Sequence, residues 1–124
     1  MRKAQLATPD DLLPLTPPVF HILLAIVDEP RHGYAIMQDV LEQTNGSLTL
    51  GPGTLYGCLK RMTEAGLVVE NSNAHEAADV DDRRRYYQMT ALGRRVASAE
   101  ADRLANAVAA ARTRGVLSQA GAAQ

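Results

Sequence analysis

The side chains that most often carry reactions do not assemble into a reactive pattern in this chain. His21, His32 and His75 are scattered, and no Ser-His-Asp or Cys-His arrangement is evident. Asp79-Val80-Asp81-Asp82 could suggest calcium, but it lacks the glycine and the distant glutamate of an EF-hand loop and reads as a solvated loop tip. The single cysteine, Cys58, cannot form an internal disulfide and argues against a thiolate metal site. It lies beside an apolar stripe and reads as a small packed hydrophobe. These observations exclude an enzyme and imply neither metal nor cofactor. What remains is ionic chemistry: Lys60 and Arg61 in one stretch, and Arg83, Arg84 and Arg85 in another.

The first stretch, Gly51 to Val68, reads as one short helix and its exit. With each residue advancing about 100° around the axis, Leu55, Leu59 and Met62 form a buried stripe. Gly57, Lys60, Arg61 and Glu64 fall on the opposite side. A mid-helix glycine costs roughly 0.5–1 kcal/mol relative to alanine, so Gly57 on the exposed face implies that another surface comes close there. A groove of DNA is such a surface. Gly51-Pro52-Gly53-Thr54 is expected to supply loop glycines and a hydroxyl cap, leaving backbone N–H groups free for a phosphate. Gly66 stops the helix, and Leu67-Val68-Val69 has strand character.

A polar loop from Glu70 to Asp82 separates that strand from a second candidate, Arg83 to Thr90, which makes a β-hairpin, or wing. Between Arg83 and Arg95 there are five arginines and no acid. Strand alternation sends Arg83 and Arg85 one way with Tyr87 and Arg84 the other way with Tyr86, so at least one tyrosine packs inward. Taken alone this is a solvated charge run. Its position directly after a basic helix gives it a second meaning.

Upstream, Thr16-Pro17-Pro18 opens a helix that is apolar on most sides, from Val19 to Val27, and that Asp28-Glu29-Pro30 ends. Such a helix must be buried on more than one face, against a partner subunit for example. Gly33 to Thr44 forms another helix, with Ile36, Met37, Val40 and Leu41 at helical spacing, and Ser47-Leu48-Thr49-Leu50 is expected as a short strand. Helix, helix, short strand, helix, strand, wing, strand is the order of a winged helix-turn-helix. Thr90 can cap a last helix from about Ala91 to Ala111, long enough at roughly 30 Å to act as a dimer arm. Its apolar side carries Leu92, Val96, Ala99, Leu104 and Val108.

The expected fold class is mainly α with a small β wing. Residues 1–14 form a flexible N-terminal arm or one helical turn, 15–90 the winged domain, 91–114 the dimerisation helix and 115–124 a disordered tail. With 124 residues the chain can bury a real core, and no apolar run is long enough to span a membrane. Nothing resembling a signal peptide follows Met1, so a cytoplasmic location is expected. The formal net charge of −1 requires any positive field to be local.

Leu15-Thr16-Pro17 with Phe20 to Ala25, His32-Gly33-Tyr34-Ala35-Ile36, Gly53-Thr54-Leu55-Tyr56 with Leu59 to Met62 and Gly66-Leu67-Val68, and Arg84 to Gly93 together make the chain resemble the PadR family of bacterial transcriptional regulators. The likeness runs from about Leu15 to Arg103. It implies a dimeric winged-helix repressor that binds an inverted-repeat operator and responds to small molecules. On this reading Tyr34, Thr54, Tyr56, Gly57, Lys60, Arg61, Arg83, Arg84 and Arg85 meet DNA. Phe20, Leu24, Leu92, Val96, Ala99, Leu104 and Val108 form the dimer interface or an effector cleft. With no tryptophan and one phenylalanine in the chain, the cleft suits a modest apolar or phenolic effector better than stacked aromatic drugs. The alternative is a winged-helix protein-protein interaction module without DNA binding.

Overall fold

Thr16 starts the first helix by accepting the Val19 N–H at its Oγ1 (3.4 Å), with prolines in the first turn where no intrahelical N–H bond is lost. In the computed structural model, which describes residues 9–71 and 85–118, this helix α1 is Pro17–Ala25. It ends sooner than the Asp28-Glu29-Pro30 signal implies, because the chain turns at Ile26, whose N–H reaches back to Leu23 and Leu24. Ile26 stays in the core all the same.

A two-residue strand, β1 (Arg31–His32), runs directly into α2 (Gly33–Gln43). His32 caps α2, its Nδ1 accepting the Ala35 N–H at 3.3 Å. The turn after α2 uses Asn45 and Gly46, both at positive φ. Then come α3 (Pro52–Glu64), β2 (Val68–Glu70), β3 (Tyr86–Met89) and α4 (Ala91–Thr113). The sheet is antiparallel with β3 central, between β1 and β2. Glu70 and Arg31 both stand opposite Tyr87.

The third strand is therefore Arg31–His32 and not Ser47–Leu50. Only the former lies along the free edge of β3. In the latter, the Leu48 N–H bonds instead to Thr44 Oγ1 (3.1 Å) and Leu50 is buried as a loop residue. A second correction concerns Thr54: α3 begins at Pro52 with Gly51 as its N-cap and no side-chain cap bond, so Thr54 lies exposed in the first turn. Proline, with its preset φ and missing N–H, starts the helix at Pro52, two residues ahead of the hydroxyl.

Ile22 and Leu23 from α1, Ile36 and Val40 from α2, and Leu55, Leu59 and Met62 from α3 meet in one core, closed below by Val68 and Tyr87. Cys58 is buried among them. Val96 and Ala97 of α4 belong to this core as well, and Val96 is wholly inaccessible within the single chain. This corrects its assignment to an intersubunit cleft. Leu92 is half-buried against the same core. Ahead of α1, Pro9–Leu12 is a 3-10 turn, and Leu12, Leu13 and Leu15 pack on the core, so this segment is not a free arm. It is tied to α4 by Glu100, a buried carboxylate that accepts the Leu15 N–H at 3.4 Å and two bonds from Arg103 at 2.9 and 2.8 Å. Those Arg103 bonds hold the Glu100 carboxyl below the ordinary carboxylate range against the opposing effect of burial, with Leu15 assisting.

Candidate nucleic-acid interface

The buried stripe of α3 fixes which side chains face outward. With Leu55, Leu59 and Met62 locked in the core, Thr54, Tyr56, Lys60, Arg61 and Glu64 are exposed. Lys60 and Arg61 are consecutive, about 100° apart around the axis, and flank the arc on which Gly57 and Glu64 lie. A Cβ on Gly57 would meet nothing nearer than Arg61 Nη1 at 3.7 Å. No neighbour among the described residues therefore demands glycine there, and only the Arg61 guanidinium lies over the notch.

Tyr56 has two roles available to it. It is 45% exposed, yet its hydroxyl end lies over Gly33 at the head of α2, where a Cβ would collide with it. Gly33 is thus the notch that lets α3 seat on α2. Tyr34, 63% exposed, follows it and stacks on His32 with ring centroids 6.5 Å apart. Arg61 lies on the other flank, above an apolar hollow of about 230 Å³ bordered by Leu12, Pro14, Leu15 and Met62.

On the Lys60 flank, α3 and the β2–β3 ribbon enclose a cleft of about 410 Å³. Tyr56, Lys60, Thr63 and Glu64 form one wall, and Glu70, Arg85 and Tyr87 the other. Lys60 Nζ donates to Glu64 Oε2 at 2.6 Å, and Arg85 Nε stands 3.4 Å from Glu70 Oε2. Burial raises the Tyr87 phenol above its ordinary value, the Glu70 charge adds to this, and Arg85 opposes it, so the floor of the cleft is a neutral hydroxyl. Arg85 is exposed at the entry to β3. Arg83, Arg84, His75 and the Asp79 to Asp82 cluster lie outside the described residues.

Of the two carboxylates on this face, Glu64 stands on the outer arc in the sequence reading and Glu70 does not. For Glu64 the signal was present, four residues after Lys60 on one helical face. For Glu70 it was not, since its pairing with Arg85 depends on the strand register. Among the described residues no group of three or more His, Cys, Asp or Glu is placed to hold a metal ion. No helix among them is long and apolar enough to cross a membrane.

On the far side of the domain the expected dimer residues divide. Leu24, Leu104 and Val108 are 38%, 37% and 40% exposed. Phe20 and Ala99 are half-buried, whereas Val96 is internal. Every residue from Ala101 to Ala110 is exposed, so the second half of α4 projects beyond the domain.

Three helices, a three-stranded sheet and a basic third helix beside a β-ribbon define a winged helix-turn-helix. A family model for the PadR-like transcriptional regulators matches residues 22–99, and the chain belongs to that family, one of regulators and not of enzymes. A PadR family transcription regulator from Clostridium difficile superposes with a TM-score of 0.65 at 23% identity, covering 79% of this chain and 97% of that one. An uncharacterized protein X of Lysinibacillus sphaericus is 35% identical over 77 residues, 59% of this chain and 64% of its own length. An uncharacterized 37.1 kDa protein in a transposon of Streptomyces fradiae is 37% identical over 84 residues, 68% of this chain. The match spans under two thirds of the first of these relatives and 22% of the second.

Proposed function

We propose that this protein is a cytoplasmic, dimeric transcriptional repressor that binds an inverted-repeat operator and is released by a small apolar or phenolic effector. The observation that carries the DNA-binding reading is the outer arc of α3. It is a glycine notch flanked by Lys60 and Arg61, with only the Arg61 guanidinium in contact distance among the described residues, on a helix whose other side is locked in the core. Thr54, Tyr56, Gly57, Lys60 and Arg61 enter or border the major groove. Tyr34 approaches the backbone from the head of α2, and Arg85, with Arg83 and Arg84 before it in sequence, grips phosphate or the minor groove.

Dimerisation follows from surface that one domain leaves uncovered. Leu104 and Val108 on the projecting half of α4, with Leu24 and Phe20 on α1, supply an apolar seam for a second copy. A two-fold axis there sets the two α3 helices about 34–36 Å apart, one turn of DNA, and so reads a palindrome. The effector site lies along the same seam, between Leu24, Leu104 and Val108 of the two copies. An effector acts by preferring one intersubunit spacing, with coupling of about 1–3 kcal/mol. The deciding experiment is a mobility-shift titration of the purified protein with its own promoter DNA. A discrete, saturable complex that survives excess unrelated DNA is expected; equal affinity for both, or no complex, overturns the reading.

A further inference from the structure

Among the described residues, both cations that border the cleft between α3 and the β2–β3 ribbon already hold a carboxylate, Lys60 that of Glu64 and Arg85 that of Glu70. Neither pair is part of the core. The Lys60 and Glu64 side chains are 73% and 62% exposed, and those of Arg85 and Glu70 are 69% and 48% exposed. The pairs come from different elements, a helix and a strand hairpin, yet open on one cleft whose floor is the neutral Tyr87.

We propose that Glu64 and Glu70 are place-holders for DNA phosphate. In the free protein they neutralise Lys60 and Arg85, and in the complex a backbone phosphate at the mouth of the cleft takes both cations from them. The proposal rests on the DNA-binding reading above and adds to it a local brake on phosphate binding. Water screens an exposed ion pair, so little is lost when the cation changes partner. After the exchange, however, two carboxylates remain at the edge of the phosphate seat and repel it. The penalty falls on every duplex alike, and binding to unrelated DNA, which comes almost wholly from phosphate neutralisation, is held weak by it. Operator binding adds base contacts from α3, which offset it. A formal net charge of −1 on a DNA-binding chain fits such local balancing.

The test uses the full chain with Glu64→Gln, Glu70→Gln and both together, each checked by circular dichroism. Fluorescence anisotropy then measures affinity for a duplex of unrelated sequence and for the promoter duplex at several salt concentrations. The double variant is expected to bind the unrelated duplex on the order of tenfold tighter, with a steeper salt slope. Promoter affinity rises by a similar factor, because the same seat is used on both duplexes. If wild type binds the promoter but the double variant binds unrelated DNA no tighter and with the same slope, the place-holder role is wrong and the DNA-binding reading survives. Weaker promoter binding by Glu64→Gln with unrelated DNA unaffected also overturns it, by making Glu64 a base-reading group. No binding of either duplex by any of these proteins overturns the DNA-binding reading itself.

Discussion

At the scale of single residues, Gly57 and Gly33 look alike in the sequence and differ in what surrounds them. A Cβ at Gly57 makes no more than an ordinary contact with the Arg61 side chain, so Gly57→Ala costs no packing and is expected to raise stability by about 0.5–1 kcal/mol through helix propensity. If the notch admits DNA, the same substitution weakens promoter binding, and Gly57→Leu weakens it further. A thermal melt beside an anisotropy titration separates the two effects; a stabilised variant with unchanged affinity would remove Gly57 from the interface. Gly33 is filled from outside by the Tyr56 hydroxyl. Gly33→Ala is therefore expected to destabilise by about 1–3 kcal/mol, as overpacking does. Tyr56→Phe should restore part of that loss in the double variant, and urea unfolding of the four proteins checks the coupling.

At the scale of elements, the start of α4 is bolted to the exit of α3. Thr90 Oγ1 accepts the Gly93 N–H at 2.9 Å and donates to the Gly66 carbonyl at 2.6 Å. A Cβ on Gly93 would collide with the Leu67 carbonyl. Thr90→Ala removes the cap and the bridge together and is expected to cost about 1–2 kcal/mol in urea unfolding; a loss near zero would show that the helix needs neither. Further along α4, Glu100 fastens the segment before α1. Its carboxyl titrates lower in the folded chain than in the unfolded one, mainly because of Arg103. Its stabilisation is thus complete above the unfolded value and lost as pH falls through the folded one. Wild type should lose stability on acidification through that window more steeply than Glu100→Gln, and parallel curves in acid urea melts would contradict the clamp.

At the scale of the whole molecule, α4 is two things in sequence. Its first half completes the core through Val96 and Ala97, and its second half projects with Leu104 and Val108 uncovered. Deleting α4 would therefore unfold the domain and say nothing of assembly, whereas surface charge can. Leu104→Glu with Val108→Glu is expected to leave the melting temperature of the isolated domain almost unchanged and to convert a dimer to a monomer by sedimentation. It should also reduce promoter affinity by a factor of at least about 100, since one half-site then binds without the help of the other. A variant that sediments as wild type would place the dimer contact elsewhere.

Periodicity and end signals carried most of the fold, because they are local. The stripe of Leu55, Leu59 and Met62, the Thr16 and Thr90 caps and the inward turn of at least one strand tyrosine each follow from spacing of a few residues, and each stands in the structure, which makes that tyrosine Tyr87. The outward arc of Lys60 and Arg61 follows from the same stripe. What tertiary structure decided is everything that depends on a distant partner. Arg31–His32 became a strand only because the edge of β3 passes beside it. Val96 left the expected interface because the core beneath α4 has room for it. Arg85 met Glu70 through a register that spans the wing, and Glu100 met Leu15 across 85 residues. Local sequence sets which face of an element is apolar; only the packed chain sets which surface that face meets.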